Sequence, residues 1–255
     1  MPPQDNMFPF FSPDGKWIGF WSMQRGVTRV SIEGAPPITI LDQREPVDAF
    51  FGAAWGAEDT LIYSWRGALY RVSAAGKGTP ERLTDITVLG YPELLPGERA
   101  VLANELEIGP DGVPSGVHIA VVDLQTGERR IVVDNGSDAK YASTGHVVFV
   151  RGTTLMAAPF DAAELVVTGE PVAMFQGGRH PNRFAVADYA LSATGTLVYV
   201  QGGDNSTAGD AVVWVDRNGR VVERAIDELV NNARDPRVSP DGGRLLLTTG
   251  AADLW

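Results

Sequence analysis

A chain of 255 residues with 32 acidic and 21 basic side chains carries a formal charge of −11, which disfavours nucleic-acid binding because a polyanion demands a basic footprint. With no cysteine there are no disulfides, thiolate metal sites or cysteine nucleophiles, and no apolar run approaches the roughly eighteen residues of a membrane span. The 29 glycines and 17 prolines point instead to a turn-dense, all-β chain.

The first expected strand, residues 8–12, runs into Ser12-Pro13-Asp14-Gly15 and returns through Lys16-Trp17-Ile18-Gly19-Phe20. Ser and Asp cap their own backbone there, Pro presets φ, and Gly takes the left-handed conformation that closes the hairpin. Residues 28–32 and 38–41 fill two further strand slots. A second copy starts at Trp55-Gly56-Ala57-Glu58-Asp59, continues through Leu61-Ile62-Tyr63 and residues 69–72, turns at Ala75-Gly76 and ends at residues 81–84. The third reads Leu94-Leu95-Pro96-Gly97-Glu98 and Ala100-Val101-Leu102. Its later Pro110-Asp111-Gly112 precedes no apolar run and is read as an insertion loop. Tyr141-Ala142-Ser143-Thr144-Gly145 and Leu191-Ser192-Ala193-Thr194-Gly195 open the fourth and fifth, and in the fifth Asn218-Gly219 is a hairpin signal. The sixth, Val238-Ser239-Pro240-Asp241-Gly242-Gly243-Arg244-Leu245, matches the first most closely.

Anchored on the residue before each turn (Phe11, Trp55, Leu94, Tyr141, Leu191, Val238), the steps are 44, 39, 47, 50 and 47 residues. Short strands at such a period predict a β-propeller of six repeats, five complete four-stranded blades and a truncated one. Blades are expected at about 8–42, 52–85, 91–134, 138–176, 184–227 and 234–255 in a single domain. Because the sixth repeat stops at Leu254-Trp255, where a third strand is due, the chain is expected to be a piece of a longer protein. A closed ring of six blades is the competing expectation. Residues 1–9 have neither the basic nor the apolar stretch of a signal peptide, so none is expected.

The segments Phe11-Ser12-Pro13-Asp14-Gly15-Lys16-Trp17 and Val238-Ser239-Pro240-Asp241-Gly242 resemble the repeat of TolB-like (WD-repeat-like) bacterial propellers, and the resemblance spans essentially the whole chain. Residues 9–42, 144–155 and 191–200 resemble, more narrowly, the propeller region that follows the kinase domain in bacterial serine/threonine protein kinases. That resemblance implies a non-catalytic sensing or protein-binding module whose catalysis sits elsewhere. Its compartment would be extracytoplasmic if attached to a membrane kinase and cytoplasmic otherwise. A gating or catalytic propeller of a hydrolase or peptidase is the alternative, and a purely structural fragment is a third reading.

No catalytic machinery is legible. The chain has no Gly-rich phosphate loop, no His-Arg-Asp loop, no Asp-Phe-Gly and no Gly-x-Ser-x-Gly elbow. His118 is expected to open a strand, His146 to cap a hairpin, and His180 to lie in a polar loop, with no metal-ligand spacing among them. Asp14 and Asp241 are explained by their turns. An axial-metal hydrolase needs oxygen or nitrogen ligands on its inner strands; the pairs before the turns offer only Glu93 (beside Leu94), against Phe10, Ala54, Lys140, Ala190 and Arg237. No catalytic residue, cofactor or metal site is therefore assigned.

The long loops 42–52, 104–116, 177–187, 201–210 and 227–235 are expected on one face of the disc, where function tends to gather. They carry Asp42, Glu45, Asp48, Asp227, Glu228 and Asp235 besides the candidate partner-binding residues Glu105, Glu107, Asp111, Arg179, His180, Arg183, Asp204 and Asp210. The expected partner is a protein or peptide of basic or polar character.

Overall fold

In the computed structural model the described residues are 7–44, 49–85, 88–176, 187–192, 195–201, 209–216 and 220–249, all outside helices. The first sheet contains β1 (Met7–Phe11), β2 (Trp17–Ser22), β3 (Gly26–Ser31) and β4 (Ile38–Leu41). The second contains β5 (Phe50–Trp55), β6 (Thr60–Trp65), β7 (Ala68–Ser73) and β8 (Glu81–Arg82), and the third β9 (Leu89–Leu94), β10 (Ala100–Ile108), β11 (Pro114–Asp123) and β12 (Arg129–Val133). The fourth holds β13 (Ser137–Ala142), β14 (His146–Arg151), β15 (Thr154–Asp161), β16 (Val166–Val167) and β17 (Val172–Gln176). The fifth has β18 (Tyr189–Leu191), β19 (Leu197–Gln201), β20 (Ala211–Val215) and β21 (Val221–Arg224), and the last pairs β22 (Arg234–Val238) with β23 (Leu245–Thr248).

Every pairing of the described strands is antiparallel and, apart from β17 on β15, joins neighbours in sequence, which is the propeller meander. Among the described residues five sheets are complete blades, not six, and the sixth position holds a two-stranded hairpin. The inner strands β1, β5, β9, β13, β18 and β22 each pack on the next, and β22 returns to β1.

The packing explains the unbroken apolar runs. Each sheet is covered on both faces, so alternate residues of one strand enter different cores. Val147 and Phe149 join Leu102, Ile119 and Val121 of the third sheet, whereas Val148 and Val150 join Tyr189, Tyr199 and Val213 of the fifth. The thickest core, between the first two sheets, stacks Trp21, Phe50, Trp55 and Tyr63. In the two-stranded sheet, Leu246 and Leu247 are still buried, at 3% and 1% exposure.

The turn chemistry is realised twice in full. Ser12 Oγ donates to Asp14 Oδ1 at 2.6 Å and accepts from Trp17 N at 2.9 Å, while Lys16 N donates to Asp14 Oδ1 at 3.0 Å. Ser239 and Asp241 repeat this with Arg244 N and Gly243 N, and Gly15 and Gly242 close the turns at φ 67° and 77°. The Ser hydroxyl and then the backbone N–H hold both aspartates below the usual carboxylate range.

Two expectations change. Residues 104–116 form no insertion loop: β10 and β11 pair from Ala100↔Asp123 to Ile108↔Pro114, a long hairpin closed by Gly112 at φ 79° with Asp111 Oδ1 accepting from Val113 N. Pro110-Asp111-Gly112 is thus a true turn, and His118 sits mid-strand in β11 rather than opening it. The outer strand of the fourth blade is split, with β17 pairing the start of β15 and β16 its end; Pro171, which has no N–H to give the ladder, stands in the gap. Asn218-Gly219 and Trp255 lie outside the described residues.

Candidate functional site

Every inner strand carries a special position three residues before its anchor: Phe8, Gly52, Tyr91, Asp138, Asp188 and Asp235. Five of these have left-handed backbone, at φ 56°, 84°, 55°, 51° and 48° for Phe8, Gly52, Tyr91, Asp138 and Asp235. The strand register slips beside each of the five. These are β-bulges, which re-aim side chains, and a left-handed non-glycine residue costs roughly 1–2 kcal/mol. The propeller therefore holds strain at equivalent points of one ring. In the first three blades the position is aromatic or Gly; in the last three it is Asp.

The ring is stitched at this level. Asp138 N donates to Asn104 Oδ1 at 2.7 Å, Tyr189 Oη donates to the carbonyls of Asp138 and Val148, and Asp235 N donates to Asp188 Oδ1 at 3.1 Å. Asp138 is 1% exposed, and among the described residues neither of its carboxylate oxygens accepts a hydrogen bond. Lys140 Nζ stands 3.2 Å from its Oδ1, close enough for an ion pair but out of line for a hydrogen bond, and 3.5 Å from Glu93 Oε2. Burial pushes the Asp235 carboxyl above its ordinary range, Arg237 and Arg234 pull it back, and the Asp138 charge adds to the rise. Burial also raises Tyr189 well above a free phenol, helped by Asp138 and Glu93.

A cavity of about 270 Å³ opens among the inner strands, lined by residues of β1, β5, β9, β13, β18 and β22 and by the turns that follow them. Its lining includes Phe10, Phe11 and Trp55 from the first two sheets and Glu93, Lys140 and Arg237 from the third, fourth and sixth. Aromatic and charged side chains thus share the cavity, which can hold a small molecule with an apolar face and a polar edge. Among the described residues no three carboxylate or imidazole groups converge to hold a metal, and Lys140 supplies the cation between Glu93 and Asp138.

Of the residues anticipated on a partner face, Glu105, Glu107, Asp111 and Asp210 are described, and their surroundings differ. Glu105 lies in β10, 7% exposed, with Oε1 2.9 Å from Arg129 Nη1; Asp210 is 5% exposed and accepts from Ala233 N. Both are corrected to internal, structural roles, because their carboxylates are buried against partners within the chain. Glu107 and Asp111 are exposed on the β10–β11 hairpin, where Glu107 Oε2 lies 3.4 Å from His118 Nε2 and Asp111 caps the turn. Arg179, His180, Arg183 and Asp204 lie outside the described residues. Asp235 leaves the loop face for the inner strand β22. The inner-strand pairs had exposed Lys140 and Arg237 in the sequence, but they were weighed only as metal ligands. Asp138 and Asp188 were missed, although counting three back from each anchor finds them.

No helix among the described residues is long and apolar enough to cross a membrane. No family model matches the chain, and no curated protein sequence is significantly similar to it. Solved structures do match in fold. A gluconolactonase from Xanthomonas campestris aligns at a TM-score of 0.70 and 14% identity over 99% of this chain and 85% of its own. Regucalcin from Agrobacterium tumefaciens, described as a calcium-binding protein, aligns at 0.68 and 17% over 97% and 83%. TolB from Acinetobacter baumannii aligns at 0.65 and 19% over 96% and 61%. The fold is thus an all-β propeller of the TolB-like kind. Enzyme-type propellers share it across nearly the whole chain, which overturns the expectation of a non-catalytic, kinase-linked sensor module.

Proposed function

We propose that this chain is a single propeller domain with six blade positions that takes a small polar molecule into its axial cavity. The observation that carries this reading is the mixed lining, with aromatic side chains from the first two blades and charged ones from three others. Charged side chains brought from separate blades into a partly buried cavity, with ion partners arranged around them, are what ligand sites use to fix orientation. The fold likeness to a gluconolactonase makes sugar lactones the first compounds to try.

The test is thermal stabilisation against a panel of sugars, lactones and small acids. A ligand at a hundred times its Kd is expected to add about 2.7 kcal/mol of stability. The half-buried Ala54, which lines the cavity, offers a plug: Ala54→Phe is expected to abolish that stabilisation while leaving the unliganded melting temperature within a few degrees. Stabilisation that survives Ala54→Phe would place the ligand elsewhere.

A second reading, a protein partner at the β10–β11 hairpin, is favoured by Ile108 and Val113, 45% and 56% exposed beside Glu107 and Asp111. A basic peptide with apolar side chains fits that tip. Binding of an Arg- and Leu-containing peptide should disappear on joint charge reversal to Glu107→Lys and Asp111→Lys; unchanged binding would remove this reading.

A further inference from the structure

The chemical class of the ligand can be narrowed, on the premise that the axial cavity is a ligand site. Its lining contains two cations of different standing. Lys140 is committed, with Glu93 on one side and Asp138 on the other. Arg237 is not. It lines the cavity half-buried, and among the described residues its guanidinium donates only to the neighbouring Pro236 carbonyl, from Nη1 at 2.9 Å. Among the described residues no carboxylate forms an ion pair with it, although Asp235 feels its field. A guanidinium has five N–H donors in a planar fork, so most of its donor capacity is unused.

We propose that the cavity takes a small organic monocarboxylate, received side-on by Arg237, with the body of the molecule against Phe10, Phe11 and Trp55. The planar fork of arginine matches a carboxylate through two parallel hydrogen bonds, and a low-dielectric wall strengthens both. Charge decides between one negative charge and two. Among the lining side chains Glu93 offsets Lys140 and Arg237 is the remaining cation, with the buried Asp138 and Asp235 behind it, so the second charge of a phosphate ester would face Glu93 and these carboxylates. Size decides the rest, because about 270 Å³ is at the small end of ligand pockets and suits a single ring.

Isothermal titration of the whole chain with benzoate and cyclohexanecarboxylate, set against benzamide, cyclohexanecarboxamide and phenyl phosphate, tests this. Both carboxylates are expected to bind at least tenfold more tightly than their amides, equivalent to about 1.4 kcal/mol, and more tightly than phenyl phosphate. Arg237→Gln should erase the preference for acid over amide, and Arg237→Lys should retain part of it. Amides that bind as well as acids, phenyl phosphate that binds best, or a preference that persists in Arg237→Gln would each overturn the carboxylate assignment while leaving the axial site intact. Failure of acids, amides and phosphate alike would overturn both. If Arg237→Gln does not fold, the comparison of acid with amide on the unaltered chain decides alone.

Discussion

Arg29 shows how much a single side chain carries in a propeller built from aromatic cores. Its guanidinium lies 4.5 Å from the Trp17 ring and 5.9 Å from Trp55, joining the first blade to the second, with Asp59 4.0 Å away. Cation–π contact and stem packing are each worth about 1 kcal/mol in partly buried settings, so Arg29→Ala is expected to lower stability by about 2 kcal/mol in urea unfolding. Arg29→Met should restore the packing share alone. Asp235 makes the opposite prediction. Because burial raises its folded-state pKa, its favourable contribution is present below the unfolded value of 3.8 and lost as pH rises through the higher folded value. Asp235→Asn, which also suits left-handed backbone, should therefore melt higher than the unaltered chain at pH 7, with the gap closing below pH 4. A lower melting point at pH 7 would show that the charge stabilises the axis.

At the scale of elements, the Ser-Pro-Asp-Gly turn works as a small machine. Ser12→Ala would remove both the Asp14 contact and the acceptor for the Trp17 amide, an expected loss of about 1–2 kcal/mol. With it should go the largest cause of the lowered Asp14 pKa, leaving the Lys16 amide to hold the rest; that stabilisation is present above 3.8 and lost as pH falls through the folded value. Gly19 in β2 is equally constrained: a Cβ there would fall 2.2 Å from the Phe10 ring, so Gly19→Ala is expected to cost about 1–3 kcal/mol by overpacking.

These turns were legible in the sequence because their chemistry is local, each hydrogen bond reaching no more than five residues. The β10–β11 hairpin was not. Beyond Leu102 its residues are largely polar, and what keeps them in strand form is the ladder from Asn104↔Ile119 to Ile108↔Pro114, a property of the pair and not of either run. The axial site was half legible for a related reason. Lys140 and Arg237 stand next to the anchors, whereas Asp138 acquires meaning only from the bulge that re-aims it and Asp188 only from the Asp235 amide of the next blade.

Across the whole molecule, stability depends on stacked cores in which phenols are buried. Tyr63 is fully buried, and burial pushes its pKa up to about 12; Tyr189 is raised as well. A raised phenol contributes stability that is present below its unfolded value of 10 and lost as pH rises toward the folded value. Cooperative alkaline unfolding between about pH 10 and 12, with tyrosinate absorbance rising in step with loss of the sheet signal, is the expected result. Free titration of these tyrosines near pH 10 in a folded chain would contradict the burial.

The bulge ring has an evolutionary consequence. Its positions are not alike: Phe8 and Tyr91 belong to the aromatic core of the first blades, whereas Asp138, Asp188 and Asp235 belong to none of the apolar cores. A substitution at one of these aspartates changes the polar axis without entering an apolar core. The last three blades then behave as independent dials, and a gene can retune the axis one repeat at a time while the scaffold persists. Propellers at 14–17% identity can thus be superimposable in shape and unrelated in appetite.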